Sequence, residues 1–267
     1  MTKGSVVYFK RGDLWRDVKF RAKSGITYSA YGEGDKPKFY GSPFDGAVTG
    51  KWEATDTPNV YKYSERIADD VGQIVFNGGD HSLIAQKTLY DGPNAVTGYK
   101  DLKKDLEFFH DLGGKRVEAT NDTGYIYLCS TSGNPAERFT NIEFNRRNNV
   151  FSAGNNITFD NLCIAYGGSH GVGAGTCEGL TVQNCEFWWI GGALQNYNEG
   201  AVRFGNAVEI YGGATDYTVS NCYIDQVYDA GVTHQVSHET EGDFIMKNVT
   251  YKDNVILRCV YSIEHFI

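Results

Sequence analysis

The chain has 267 residues, 41% of them hydrophobic and 22% charged, which is enough to bury a large core and unlike a disordered tail. A net charge of −8 argues against a nucleic-acid binder, which needs a basic face. No apolar run of about 18 residues marks a membrane span, and no leader pattern opens the chain, so an exported protein would have lost its leader.

Glycine is frequent at 32 residues, proline scarce at 5, and aromatic residues reach 14%, the mixture that many short strands joined by glycine corners produce. In chain order, residues 1–42 read as first coils with corners at Gly12, Gly25, Gly32, Gly34 and Gly41. Residues 43–135 do not repeat cleanly and are expected to elaborate a single domain spanning 1–267. Gly78-Gly-Asp-His81 reads as a turn. Leu102, Leu106 and Phe109 keep helical spacing, although the stretch around them equally suits a turn and strand. From 136 onward regular coils are expected.

Those coils carry a repeat: Asn141-Ile-Glu-Phe144, Asn161-Leu-Cys-Ile164, Asn184-Cys-Glu-Phe187, Asn221-Cys-Tyr-Ile224 and Asn254-Val-Ile-Leu257. Thr158, Thr181 and Thr218 stand three residues ahead of their asparagines, and Thr250 four ahead. Spacings of 20, 23, 37 and 33 suit the coils of a β-solenoid with insertions and are too short for a propeller blade. Alternation puts Leu162, Cys185, Cys222 and Val255 in one interior stack and Ile164, Phe187, Ile224 and Leu257 in the next. The asparagines would sit at corners, their amides bonded to one another and to turn backbone. The six cysteines have no zinc spacing and are expected as buried thiols, with Cys185 and Cys222 stacked.

A second strand runs through the same coils, in Gly171-Val-Gly-Ala-Gly175, Ala207-Val-Glu-Ile-Tyr211, Gly231-Val-Thr-His-Gln235 and Ser262-Ile-Glu-His-Phe266. With Val172, Val208, Val232 and Ile263 inward, Gly173, Glu209, Thr233 and Glu264 form an outward column. The chain stops in mid-strand at Ile267, so an oligomer or further coils are expected to cover the bare solenoid end.

Glycine-cornered coils with Asn-Cys-x-Ile and Asn206-Ala-Val-Glu-Ile-Tyr-Gly212 resemble the right-handed parallel β-helix proteins of the pectate-lyase-like superfamily. The opening is similar, with Val7-Tyr-Phe-Lys-Arg-Gly-Asp13, Trp15 and Ile26-Thr-Tyr-Ser-Ala-Tyr-Gly-Glu-Gly-Asp-Lys-Pro37 resembling the first coils of bacterial carbohydrate-active β-helices. Phe108-Phe-His-Asp111, Tyr125-Ile-Tyr-Leu128 and Gly133-Asn-Pro135 resemble an insert seen in such proteins. The fold this implies is all-β, a single-stranded right-handed parallel β-helix with an irregular insert around 43–135. The resemblance is one of architecture and matches no catalytic signature.

Chemistry is expected on the outward column. Phe204 to Met246 holds seven acids, two histidines (His234 and His238) and neither Lys nor Arg. Crowded carboxyls raise one another's pKa values, as a general acid near neutral pH requires. Glu209 and Glu264, two coils apart, would be separated by roughly 9 to 10 Å, near the upper end of the range for inverting glycosidases. Asp229 lies in the corner before the middle coil. These three form the pool for general acid and base in a secreted glycoside hydrolase acting on a poly- or oligosaccharide. His234, Gln235 and His265 would bind hydroxyls or orient the acids, although the register points both histidines inward. Arg203, Trp188, Trp189, Tyr211 and Tyr228 would line subsites. Asp216 and Asp225 read as corner residues. No metal or other cofactor is expected, with calcium left open. The alternatives are a polysaccharide lyase, which needs a basic residue, and a non-catalytic carbohydrate-binding or tail-fibre-like solenoid.

Overall fold

The computed structural model describes residues 1–79, 96–113, 123–196, 202–236 and 245–266. The protein is all-β, 51% strand and 4% helix, and its sheets are mostly parallel. Contacts divide it into two compact units, one of residues 1–41, 148–191 and 205–267, the other of 42–147 and 192–204.

The first unit has three parallel sheets, and the chain visits them in rotation. One sheet takes Val6–Lys10, Thr27–Tyr31, Ile157–Asp160, Leu180–Gln183 with the short Cys177–Glu178 just ahead of it in the same pass, Ala214–Ser220 and Met246–Lys252. The second takes Leu14–Trp15, Lys38–Tyr40, Cys163–Ala165, Glu186–Ile190, Tyr223–Val227 and Val255–Leu257. The third takes Phe20–Arg21, Phe151–Ser152, Val172–Ala174, Val208–Ile210, Ala230–Gln235 and Tyr261–Phe266. Each pass therefore extends all three sheets by one rung, and equivalent residues of successive passes become neighbours about 4.8 Å apart. Inward side chains form one continuous core, with Phe159, Val182 and Val219 from the first sheet, Ile164, Phe187 and Ile224 from the second, and Val172, Val208 and Val232 from the third.

The repeated asparagines turn the corner between the first and second sheets. Asn161, Asn184 and Asn221 have φ of 61°, 53° and 52°, a left-handed conformation that Asn tolerates better than most residues. Their amides do not bond one another as expected: Asn184 Nδ2 donates to Asp160 Oδ1 at 2.7 Å, and Asn161 Oδ1 accepts from Arg11 at 2.7 Å. Two copies of the repeat differ from the expected alignment. In the last pass Tyr223 pairs with Val255 and Ile224 with Ile256, so Asp253, at φ 54°, takes the corner. Ile256 then packs on the core, while Val255 and Leu257 are exposed. The first copy, around Asn141, lies in the second unit. There Ile142–Arg146 pairs antiparallel with Val71–Phe76, and Asn141 donates to Asp45 and Glu143.

The second unit thus reaches past the expected 43–135. Its main sheet is antiparallel, in the order Trp52–Ala54, Val60–Ala68, Thr123–Cys129, Phe108–Asp111, over a core that includes Trp52, Tyr63, Ile126, Leu128 and Phe144. The stretch with helical spacing resolves into a single turn at Tyr99–Asp101 and the strand Phe108–Asp111. Gly72 is required because a Cβ there would lie 2.0 Å from the Ala193 nitrogen. All six cysteines are free thiols, five of them buried. Asp80 and His81 lie outside the described residues.

Candidate active site

The third sheet carries the outward column in the expected register. Gly173 pairs with Glu209, Val208 with Val232, and Thr233 with Glu264, so Gly173, Glu209, Thr233 and Glu264 occupy successive rungs. The column is less open than outward-facing residues suggest. Thr233 is fully buried and Glu209 only 6% exposed, whereas Glu264 is half-buried.

Each carboxyl has its own surroundings. Glu209 Oε2 accepts from Asn206 Nδ2 at 2.5 Å and from Thr233 Oγ1 at 2.6 Å. Burial raises its pKa and those two donors oppose the rise. Glu264 Oε2 accepts from Gln235 Nε2 at 2.9 Å. Its pKa is raised first by burial and then by the charge of Glu209, with the Gln235 bond acting against both. Asp229 sits in the corner that enters Ala230–Gln235, its N–H donating to Gly205 O at 3.2 Å and its carbonyl accepting from Tyr261 N at 3.1 Å. Burial, then Glu264, then Glu209 push its carboxyl up to about 6. Three acids from consecutive passes therefore feel one another.

The corner preceding the column adds residues that the sequence did not single out. Asn206 N donates to His170 Nδ1 at 3.2 Å, which leaves the imidazole proton on Nε2, and burial pushes His170 down to about 3. Asn149 Oδ1 accepts from His170 N at 3.2 Å. Gly173 leaves room for both: a Cβ there would meet Asn149 Nδ2 at 2.6 Å and His170 Cδ2 at 3.4 Å. Asn206, three residues before Glu209, and His170, directly before Gly171-Val-Gly-Ala, stand at the strand entry, a shared position that gives the one available signal.

The other expected site residues are dispersed. His234 turns to the inner side, as its register implied, where its Nδ1 lies 3.0 Å from Tyr251 Oη. His265 stacks on it at 4.7 Å and places its Nδ1 3.2 Å from His234 O, so neither ring joins the carboxylates. Gln235 does, through Glu264. Tyr211, 47% exposed, follows the strand of Glu209, and half-buried Tyr228 precedes Asp229. Trp188 packs against Tyr223 at 5.0 Å on the second sheet, and Trp189 is buried with φ 53°. Arg203 belongs to the second unit, where it donates to Gly192 O at 2.7 Å and lies 3.7 Å from Asp70 Oδ2. Asp225 is no corner residue: it is fully buried within Tyr223–Val227 and paired with Arg258. Asp216 sits at φ 55° and accepts from Asn248 at 2.7 Å. His238, Glu239, Glu241 and Asp243 lie outside the described residues. Among the described residues no group of three His, Cys, Asp or Glu is arranged to hold a metal ion.

No protein-family model and no curated protein matches this chain. Its chemistry must be argued from the column itself.

Proposed function

We propose that the first unit is a right-handed parallel β-helix of the pectate-lyase-like kind and that its outward column is the active site of a glycoside hydrolase. Three sheets visited in rotation, all parallel, support the fold, and parallel crossovers are right-handed in nearly every known case. The observation that carries the function is the placement of Glu209, Asp229 and Glu264 on three consecutive passes at one edge of the third sheet, with the Asp229 carboxyl pushed up to about 6 by burial and then by the other two.

Asp229 is the general acid that protonates the leaving oxygen. Glu264, partly open to solvent and oriented by Gln235, is the base that activates water. Burial and the charge of Glu264 hold the proton on Asp229, and Glu209, the buried neighbour, adds to them. A lyase reading is weaker because the basic residues bordering this stretch are engaged or distant. Arg258 pairs with Asp225 and Lys252 with Asp253, while Lys247 lies exposed on the first sheet. A polysaccharide substrate carries secretion with it.

The test is incubation with neutral and acidic polysaccharides, following reducing ends and the absorbance of a 4,5-unsaturated product. New reducing ends without unsaturation are expected, abolished in Asp229→Asn. Unsaturated product would establish a lyase, and binding with neither product a carbohydrate-binding module. Full rate in both Asp229→Asn and Glu264→Gln would refute the site.

A further inference from the structure

We propose that Asn206 is a positioning residue that locks Glu209 and the Asp229 corner into one unit. Its consequence for rate rests on the hydrolase reading; its consequence for the two carboxyls does not. Asn206 is buried, 3% exposed, and its polar atoms reach three consecutive passes. Toward the preceding pass its N–H donates to His170 Nδ1 at 3.2 Å and its carbonyl accepts from Gly171 N at 3.0 Å. Within its own pass Nδ2 donates to Glu209 Oε2. Toward the following pass Oδ1 accepts from the N–H of Ala230 at 2.8 Å, the residue bonded to Asp229.

One amide therefore ties the carboxylate of Glu209 to the backbone that aims Asp229. The task needs a donor and an acceptor on one short, uncharged side chain. Asp lacks the donor when ionised, Ser is too short to span both partners, and apolar residues have neither group. A mere spacer would require no contact with a carboxylate.

The electrostatic consequence follows from what faces Glu209. Thr233 donates to it, Gly173 offers no side chain, and Asp229, Glu264, Tyr217 and Tyr251 sense its charge. His170, behind Asn206, stays neutral over the working range. The Asn206 bond favours ionised Glu209, and ionised Glu209 helps hold the proton on Asp229. Without that bond the Glu209 midpoint rises and the Asp229 midpoint falls.

The experiment is a carboxyl NMR titration of the full chain, with pH–rate profiles alongside, for wild type, Asn206→Ala and Asn206→Asp. In Asn206→Ala the Glu209 midpoint should rise by about one pH unit, the worth of one hydrogen bond to a charged group, while the Asp229 midpoint falls. The basic limb of the pH–rate profile should move to lower pH, with kcat falling more than KM changes. If Asn206→Ala does not fold, Asn206→Asp keeps the acceptor for Ala230 and should retain activity only at low pH, where its carboxyl is protonated and donates to Glu209. Unchanged midpoints for both acids in either folded variant would overturn the proposal. Shifted midpoints in a protein without hydrolase activity would uphold Asn206 as the link and reject the hydrolase instead.

Discussion

Asn254 stands one rung beyond Cys222 and accepts its amide hydrogen, Cys222 N to Asn254 Oδ1, at 2.9 Å, while Asn254 Nδ2 donates to Val219 O at 2.8 Å. In the two preceding passes the equivalent carbonyls, Phe159 O and Val182 O, accept from the thiols of Cys185 and Cys222, so Asn254 stands where a cysteine serves elsewhere. Asn254→Val removes both bonds and leaves the Cys222 amide without its side-chain acceptor. We expect a loss of about 2 kcal/mol in urea unfolding. Asp253→Gly, by contrast, relieves a left-handed residue and should be neutral or stabilising by up to about 1 kcal/mol. The opposite ranking of the two variants would reinstate Asn254 as the corner.

Asp229 should make the fold less stable as pH rises. Its folded value, about 6, exceeds the ordinary 3.8, so between those values the folded chain holds a proton that the unfolded chain has released. Stability attributable to this group therefore falls through that window and levels off above it. Asp229→Asn lacks the penalty. Urea midpoints should favour the variant more at about pH 7.5 than at about pH 3.5. Parallel pH curves for the two proteins would contradict the burial of this carboxyl.

Asp225 is fully buried, and Arg258, itself 61% exposed, covers it through Nε and Nη2, while Tyr223 Oη adds a bond at 3.3 Å. Removing the cation strands a buried charge. Arg258→Ala should be destabilising, the loss tempered because Tyr223 still donates and because solvent already reaches the guanidinium. The double variant Asp225→Leu, Arg258→Leu should recover most of that loss, as measured by chemical denaturation. Recovery absent in the double variant would mean that the pair does more than neutralise itself.

Gly173 should matter to the outward column more than to the fold. A Cβ there meets the ends of two side chains, Asn149 and His170, which can move, so Gly173→Ala should cost no more than about 1 kcal/mol. Displacing those groups disturbs the start of the column, and the proposed polysaccharide hydrolysis should fall by about tenfold or more. Gly72→Ala meets backbone atoms of Ala193 and Gly192 instead and should prevent the second unit from folding stably, as seen in its loss of resistance to proteolysis. Full activity in Gly173→Ala would move the substrate path away from this column.

Much of the architecture was readable in the amino-acid order because a repeat with period-2 alternation is local information. Strict pairing then carries it from pass to pass, so Gly173, Glu209, Thr233 and Glu264 line up as their spacing implied. Reading failed where a neighbour in space, rather than in sequence, controls the outcome. Thr250, four residues ahead of Asn254 instead of three, already hinted at the slipped last copy, yet the extra residue could have been absorbed anywhere before the strand. Nothing near Asn141 reveals that its strand pairs antiparallel with Val71–Phe76. Nothing near Arg203 reveals Asp70. The unusual proton affinity of Asp229, and the amide of Asn206 behind it, arise from burial and from charges on adjoining passes, and long-range packing alone creates those surroundings.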